Sequence, residues 1–394
     1  MPFDLTPPHE YRSTLPKCVM RIGDNWYDCT TWRNSHPGGA LLCDEFHEKD
    51  ATDAFYSLHS KEAIQKLKKM KALPLREGDV SRDSVSKNFE VLVKKLEDEG
   101  WFERDWKIDF SRNIIPVLVL CVVGTMLSYS HPIIATLLIS FGMQQAGWLA
   151  HDFTHARGKF SRFLAIVLGG GINAFSVDWW SNKHNTHHVF PNRKYHDADI
   201  HNEPVLFLWV PKKSEDTPYR PYQHYFYMFA YALLYVSWRM QSLTFALGSG
   251  NKVELFVMAL NYSWLLFVLP LKVALASVIL GGYFVAFVVT ANHQTEEMID
   301  SDDRYNYIVD QYRSTRGVHC ADPFFEWFFG GMQYQLEHHL LPMCPRYRYP
   351  QARPLLKKFS EENNLPFHVN GVWEIVKLNF DVMKRVAESP ALDD

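Results

Sequence analysis

Between Asn113 and Ser130 eighteen residues pass without a charge (NIIPVLVLCVVGTMLSYS), and nineteen more follow from Pro132 to Ala150. Each run approaches the ~20 apolar residues that a helix needs to cross a bilayer. The break at Ser130-His131-Pro132 is short, so the two form a hairpin. Leu255–Ala291 is interrupted only by Pro270 and Lys272 and reads as a second hairpin. The expected spans are 113–130, 132–150, 253–271 and 273–291. A pair of buried core helices would not need so much uncharged length. The mean hydropathy of −0.21 hides this split, because the flanking regions are charged.

Two further segments are apolar without being clean spans. Phe163–Trp180 is Gly-rich and ends in Asp178-Trp179-Trp180, and Tyr225–Leu247 is loaded with tyrosine and broken by Arg239 and Gln241. Trp and Tyr favour the membrane interface, so both are expected on the membrane rather than through it. Residues 1–76 read as a soluble unit. The stretch from Asp83 to Trp101 places Phe89, Leu92, Val93 and Leu96 on one helical stripe, an amphipathic linker helix within 77–112. The net charge of −3 advertises no nucleic acid partner. The six cysteines show no CxxC spacing and no cleavable signal precedes them, which points to reduced thiols.

The eighteen histidines fall in clusters. Box one is His151-Asp-Phe-Thr-His155, directly after the second expected span, and an i, i+4 pair shares one helix face. Box two is His184-Asn-Thr-His187-His188, and box three is Gln335-Leu-Glu-His338-His339 after the second hairpin. An even number of crossings puts all three on one side. Seven imidazoles exceed what one tetrahedral zinc takes, and two metal ions in a shared nitrogen shell fit better. His293, ending the last span in Ala-Asn-His-Gln, makes an eighth candidate ligand. His196, His201 and His319 read as ordinary loop histidines. Transporters carry ionisable groups inside their spans. Here the spans are nearly charge-free, so chemistry at the bilayer surface is the better reading. Asp152 and Glu337, inside the boxes, are candidates to orient ligands.

Near the N-terminus His36-Pro-Gly-Gly39 stands 23 positions before His59. Two histidines in a small α+β unit can hold a haem from both axial faces, with the glycines letting backbone turn tightly at the porphyrin edge. Such a haem has no open position for oxygen and serves electron transfer.

On these motifs, residues 18–70 resemble a cytochrome b5 domain, and the chain from about 85 onward resembles a membrane fatty-acid desaturase. The combination resembles the front-end desaturases, in which the two are fused and glutamine replaces the first histidine of box three, as Gln335 does here. Phe175-Ser-Val-Asp-Trp-Trp180 and Phe329-Gly-Gly-Met-Gln-Tyr-Gln-Leu-Glu-His-His-Leu340 also look like family signatures. The chain departs from the family at Met332-Gln333, where Leu-Asn is common, and at Leu341-Pro342, where Phe-Pro is common.

The resemblance implies a cytochrome b5-like haem domain (10–76), a linker (77–112), and an all-α polytopic membrane domain (113–385) with four transmembrane helices and a cytosolic di-iron helical cap. It also implies haem b on His36 and His59, two non-haem irons, and O2 as co-substrate. A cis double bond would enter a polyunsaturated acyl chain, carried on lipid or CoA, between an existing double bond and the carboxyl end. Gln335 would hydrogen-bond at the site or face the substrate. NADH-cytochrome b5 reductase is the implied electron donor. The implied location is the endoplasmic reticulum membrane, with both termini cytosolic. A related enzyme on long-chain bases, a hydroxylase, and a non-enzymatic haem-bearing adaptor are the alternatives; complete boxes argue against the last.

Overall fold

A computed structural model describes residues 13–36, 38–301 and 303–394. Residues 10–12 of the expected haem unit and Pro37 of its His-Pro-Gly-Gly turn lie outside the described residues. The N-terminal unit opens with β1 (Val19–Ile22) and β2 (Asn25–Asp28), an antiparallel hairpin turning at Gly23, whose φ of 64° suits glycine. Three short helices follow, α1 (Ala40–Glu45), α2 (Thr52–Leu58) and α3 (Lys61–Leu67), and then β3 (Ala72–Leu73), which pairs with β2. This is the expected α+β unit.

The expected amphipathic helix is α4 (Ser84–Asp98), capped by the Asp83 carboxylate on the Ser86 amide. It is more than a linker. Phe89 and Leu96 are buried, Phe89 meets Phe359 edge-on at 5.8 Å, and Glu97 pairs with Arg157. One hydrophobic cluster runs from Met20, Leu42 and Phe46 through Phe89 and Leu96 to Tyr312, Leu340 and Leu356. The N-terminal unit therefore shares its core with the rest of the chain.

Among the described residues, three helices are long and apolar enough to cross a membrane: α5 (Trp106–Leu127), α6 (Pro132–His155) and, later, Leu271–His293. The first starts seven residues before the expected Asn113, because Asp105 caps it on the Lys107 amide. The second opens with Pro132 in its first turn, where a missing N–H costs nothing. Gly142 lets α6 close on α5; a Cβ there would lie 2.6 Å from the Cys121 sulfur.

After α6 the chain forms α7 (Lys159–Asn173) and α8 (Val177–Val189), bent by 105° to one another. The Asn173 amide donates to the Met143 carbonyl, 3.1 Å. Met143 is eight residues before His151, roughly 12 Å at 1.5 Å per residue. This segment thus runs back alongside α6 before turning, deeper than the surface position expected for Phe163–Trp180. The long helix α9 (Gln223–Ser249) starts against the C-terminal helix, where Gln223 donates to the Met383 carbonyl at 3.2 Å.

α10 (Lys252–Ser263), prolonged by a π-helical turn (Trp264–Val268), begins beside α8, where Glu254 accepts from the Val177 and Asp178 amides at 2.9 and 3.1 Å. It ends beside the far end of α5, where Trp264 donates to Thr125 at 3.0 Å. Both ends of α9 therefore lie on the histidine side, but its middle runs deeper than the surface position expected for Tyr225–Leu247: the Tyr235 hydroxyl donates to Asn173, and a Cβ on Gly282, midway along the Leu271–His293 helix, would lie 2.7 Å from Tyr235 Cβ. The third expected span, α10, is shorter than the other three, because Pro270 stops it. The return helix is α11 (Leu271–His293). The outer faces of these helices expose Leu118, Val122, Met126, Phe256, Phe267 and Leu275, an apolar belt that water would not tolerate.

Beyond the spans, α12 (Tyr307–Ser314) leads into β4 (Arg316–His319), which pairs in parallel with β5 (His368–Gly371). Between them lie α13 (Pro323–Phe329), α14 (Gln335–Leu340) and α15 (Tyr349–Glu362); α16 (Val372–Glu388) closes the chain. The two-stranded ribbon departs from the expected all-α character. A crossover this long permits parallel pairing, which a tight turn cannot make.

Candidate metal centre

Box one does not lie beyond its helix, as its position after the apolar run suggested, while His293 ends its helix as expected. α6 continues helical through His155, and α11 through His293, so these imidazoles sit on the last turns of the spanning helices. Box two occupies the end of α8 and box three occupies α14. The i, i+3 and i+4 spacings bring each set onto one face.

Two groups result. His151, His155, His184, His188 and His338 each offer a ring nitrogen within 4.8 Å of all the others, and His187, His293 and His339 form a second such trio. The Nε2 atoms of His151 and His184 stand 2.7 Å apart, His184 and His188 3.0 Å, and His188 and His338 2.9 Å. Nitrogens packed this closely cannot all carry protons. Burial and mutual repulsion hold His184, His188, His338 and His339 well below the usual imidazole range. Neutral imidazoles with converging lone pairs are a ligand set for a borderline metal.

The outward nitrogens are fixed by neighbours. His187 Nδ1 donates to Asp197 at 2.8 Å, His339 Nδ1 to Gln311 at 2.8 Å, and His293 Nδ1 to the Ser314 carbonyl at 2.9 Å. His338 Nδ1 meets the Tyr349 hydroxyl at 3.1 Å. Such partners set the tautomer and aim Nε2 inward. His187 differs from its neighbours: burial opposes its charge, but the Asp197 carboxylate raises its pKa overall. The Nε2 of His155 is buried without a hydrogen-bond partner among the described residues, a cost that a bound cation would remove.

Gln335 stands at the trio. Its Nε2 is 3.1 Å from His293 Nε2 and 3.2 Å from His339 Nε2, while its Oε1 accepts from Asn292 at 3.2 Å. The two carboxylates within the boxes are turned away. Asp152 pairs with Arg104, which also holds Asp109, and Glu337 accepts from Arg353 at 2.8 Å. Neither bonds a histidine among the described residues. One helical position rotates a side chain by about 100°, so a neighbour of a ligand faces elsewhere. The side chains that bond the histidines from behind are instead Asp197, Gln311 and Tyr349, which sequence reading missed. Only Asp197 left a trace there, in the His-Asp-Ala-Asp run after box two. His196 pairs with Glu45 and His201 with Glu203, as loop histidines do.

At the soluble end, His36 and His59 face each other with Nε2 atoms 3.5 Å apart. Their Nδ1 atoms bond the carbonyls of Gly39 (3.2 Å) and Phe55 (3.0 Å). Burial lowers both, His59 down to about 4, leaving two neutral nitrogens aimed at a common point. The Gly38-Gly39 turn rests on the outer face of α8: a Cβ on Gly39 would lie 2.9 Å from Asn182 Oδ1. A cavity of about 700 Å³ reaches the histidine groups at His151, His184, His187 and His293, and runs between α9 and the loop 198–208.

Two family models match the chain. Residues 128–371 match the fatty acid desaturase family, and residues 9–79 match the cytochrome b5-like heme/steroid binding domain. The chain is 30% identical to the Delta(6)-fatty-acid desaturase fat-3 of Caenorhabditis elegans, over 94% of this chain and 96% of that protein. It is 31% identical to the Delta(8)-fatty-acid desaturase of Euglena gracilis, over 88% of this chain and 90% of that protein. The Delta(5) fatty acid desaturase fat-4 of Caenorhabditis elegans is 27% identical over 91% and 92%.

Proposed function

Because the chain belongs to the fatty acid desaturase family and carries a cytochrome b5-like domain ahead of the desaturase region, we propose that it is a front-end desaturase. It would insert a double bond into a polyunsaturated acyl chain on the carboxyl side of an existing one, as the names of its Delta(5), Delta(6) and Delta(8) relatives suggest. The observation that carries this reading is the convergence of eight histidines at the inner end of a long cavity.

His151, His155, His184, His188 and His338 would hold one iron. His187, His293 and His339 would hold a second, with Gln335 hydrogen-bonded beside two of them. The irons would supply the oxidising power of dioxygen against an unactivated C–H bond, which no acid–base pair could break. The overall change takes two hydrogens from adjacent methylenes. One dioxygen, two electrons and two further protons complete two waters. The surrounding chain excludes water from this chemistry and fixes the ligands. Asp197, Gln311 and the Ser314 carbonyl hold the proton on the outward nitrogens.

His36 and His59 would hold haem b, which would supply single electrons for the chemistry at the boxes beyond α8. NADH-cytochrome b5 reductase is the proposed donor. The endoplasmic reticulum membrane is the proposed location, with both termini, the haem unit and all boxes cytosolic. The test is lipid analysis of a host lacking such activity, expressing the full chain and fed polyunsaturated fatty acids. A product with one new double bond on the carboxyl side is expected. A hydroxylated product, or altered long-chain bases only, would overturn the reading.

A further inference from the structure

Two buried glutamines, Gln144 and Gln145, interrupt the apolar run of α6, and the metal centre uses neither. The Gln145 amide donates to the Trp327 and Phe328 carbonyls at 2.9 and 3.2 Å, and the Gln144 amide to the Phe328 carbonyl at 3.2 Å. These carbonyls close the last turn of α13, where a helix offers no partners of its own. Where water reaches a helix end, water supplies the partners. In hydrocarbon the protein must supply them, and here two buried amides do so.

The depth of α13 follows from the helices it touches. Phe141 of α6 stacks on Phe284 of α11 at 4.7 Å. α13 closes over this pair: Trp327 stands 5.4 Å and Phe324 6.3 Å from Phe141, and Phe328 stands 5.5 Å from Phe284. Gly142, next to Phe141, abuts Cys121 of α5. Cys121 is nine residues past the exposed Arg112, roughly 14 Å into a hydrocarbon layer about 30 Å thick.

The outer face of α13 suits that depth. Phe324 and Trp327 are 52% and 39% exposed, and they extend the exposed stripe of Leu137 and Ile134, one and two turns before Phe141 on α6. Glu326, the one charged side chain of α13, accepts from the Tyr334 hydroxyl at 3.0 Å. Trp373, exposed at the start of α16, meets Phe325 edge-on at 5.8 Å, and Trp favours the interface. Past α13 the chain returns to the metal centre: a Cβ on Gly330 would lie 2.5 Å from Trp148, and Met332 and Gln335 line the cavity.

We infer that α13 is a re-entrant helix, dipping from the histidine side into the acyl region of that leaflet, with lipid acyl chains as the partner of its outer face. It thereby braces the segment that carries box three against the spans. The test places the full-length holoenzyme, one copy per disc, in nanodiscs of saturated phosphatidylcholine. Cys320, the one cysteine that is not buried, is replaced by Ser, and Phe324→Cys carries a bimane fluorophore. Nitroxide lipids labelled at mid-chain should quench it roughly twofold more than lipids labelled at the headgroup, and aqueous iodide should quench it least. Trp373→Cys should show the opposite order of the two lipids. Quenching by the haem is the same in every lipid mixture, so the ratios stand.

In Gln144→Leu combined with Gln145→Leu the carbonyls of α13 lose their partners in hydrocarbon, and the mid-chain preference of the Phe324→Cys label should fall to one or below. Stronger quenching of that label by headgroup nitroxide or by iodide, in the protein with both glutamines intact, would overturn the inference. An unchanged ratio in the glutamine variant would overturn the role given to the two amides.

Discussion

At the residue scale, Asp197 is the most exacting test of the site. Its carboxylate receives the outward proton of His187 and also accepts from the Asn192 amide at 2.8 Å. Asp197→Ala should lower iron retention or turnover by about 10–100-fold, the usual cost of removing a partner behind a ligand. Iron per chain after dialysis against a chelator, set beside wild type, measures it; an unchanged iron content and rate would remove Asp197 from the centre. Gln335→Ala should behave differently. An amide is a weaker ligand than imidazole, so activity should be abolished while iron content falls only partly. Full activity would exclude Gln335.

The imidazoles were legible in the sequence because the 3- and 4-residue spacings recur beside apolar runs. Asp152 and Glu337 misled for the converse reason. Adjacency in sequence is separation on a helix, and each carboxylate found its own arginine. Gln311 and Tyr349 come from distant segments with no periodic signal, so only the fold could bring them in.

At the element scale, α8 has two working faces. His184, His187 and His188 point inward, while Asn182 and Asn185 meet the haem unit's glycine turn on the outside, with a Cβ on Gly38 falling 3.6 Å from Asn185 Nδ2. A single helix thus separates the proposed haem from the proposed irons. Asn182→Trp should prise the turn away without touching His36 or His59. Stopped-flow reoxidation of the reduced haem should slow by an order of magnitude or more, with the haem absorption spectrum unchanged. Reoxidation at the native rate would mean that electrons enter by another face. The hairpins were readable from uncharged length alone, but their ends were not. Caps such as Asp105 and the continuation of helix through polar box residues decided those, and hydropathy does not register either.

At the scale of the whole molecule, the N-terminal unit is built into the fold rather than tethered to it. Sequence composition divides the chain near residue 76, because charge and hydropathy change there. Packing ignores that division. Phe46 stacks on Phe190 at 5.8 Å, Glu45 pairs with His196, Asn306 donates to Asp83, and Lys61 and Arg157 share Glu97. Independent domains joined by a linker would melt separately, whereas a shared core couples them. Thermal unfolding of the holoenzyme in detergent, followed by the haem Soret band and by tryptophan fluorescence, should therefore give coincident transitions. Deleting residues 1–76 would expose Phe190, Phe89 and their neighbours, and the truncated chain should lose stability as well as its electron source. Added free cytochrome b5 would then fail to restore full turnover, since it returns the haem without returning the core. Two well-separated transitions, together with full rescue of the truncated chain, would show that the contacts seen here are docking contacts of little energetic weight.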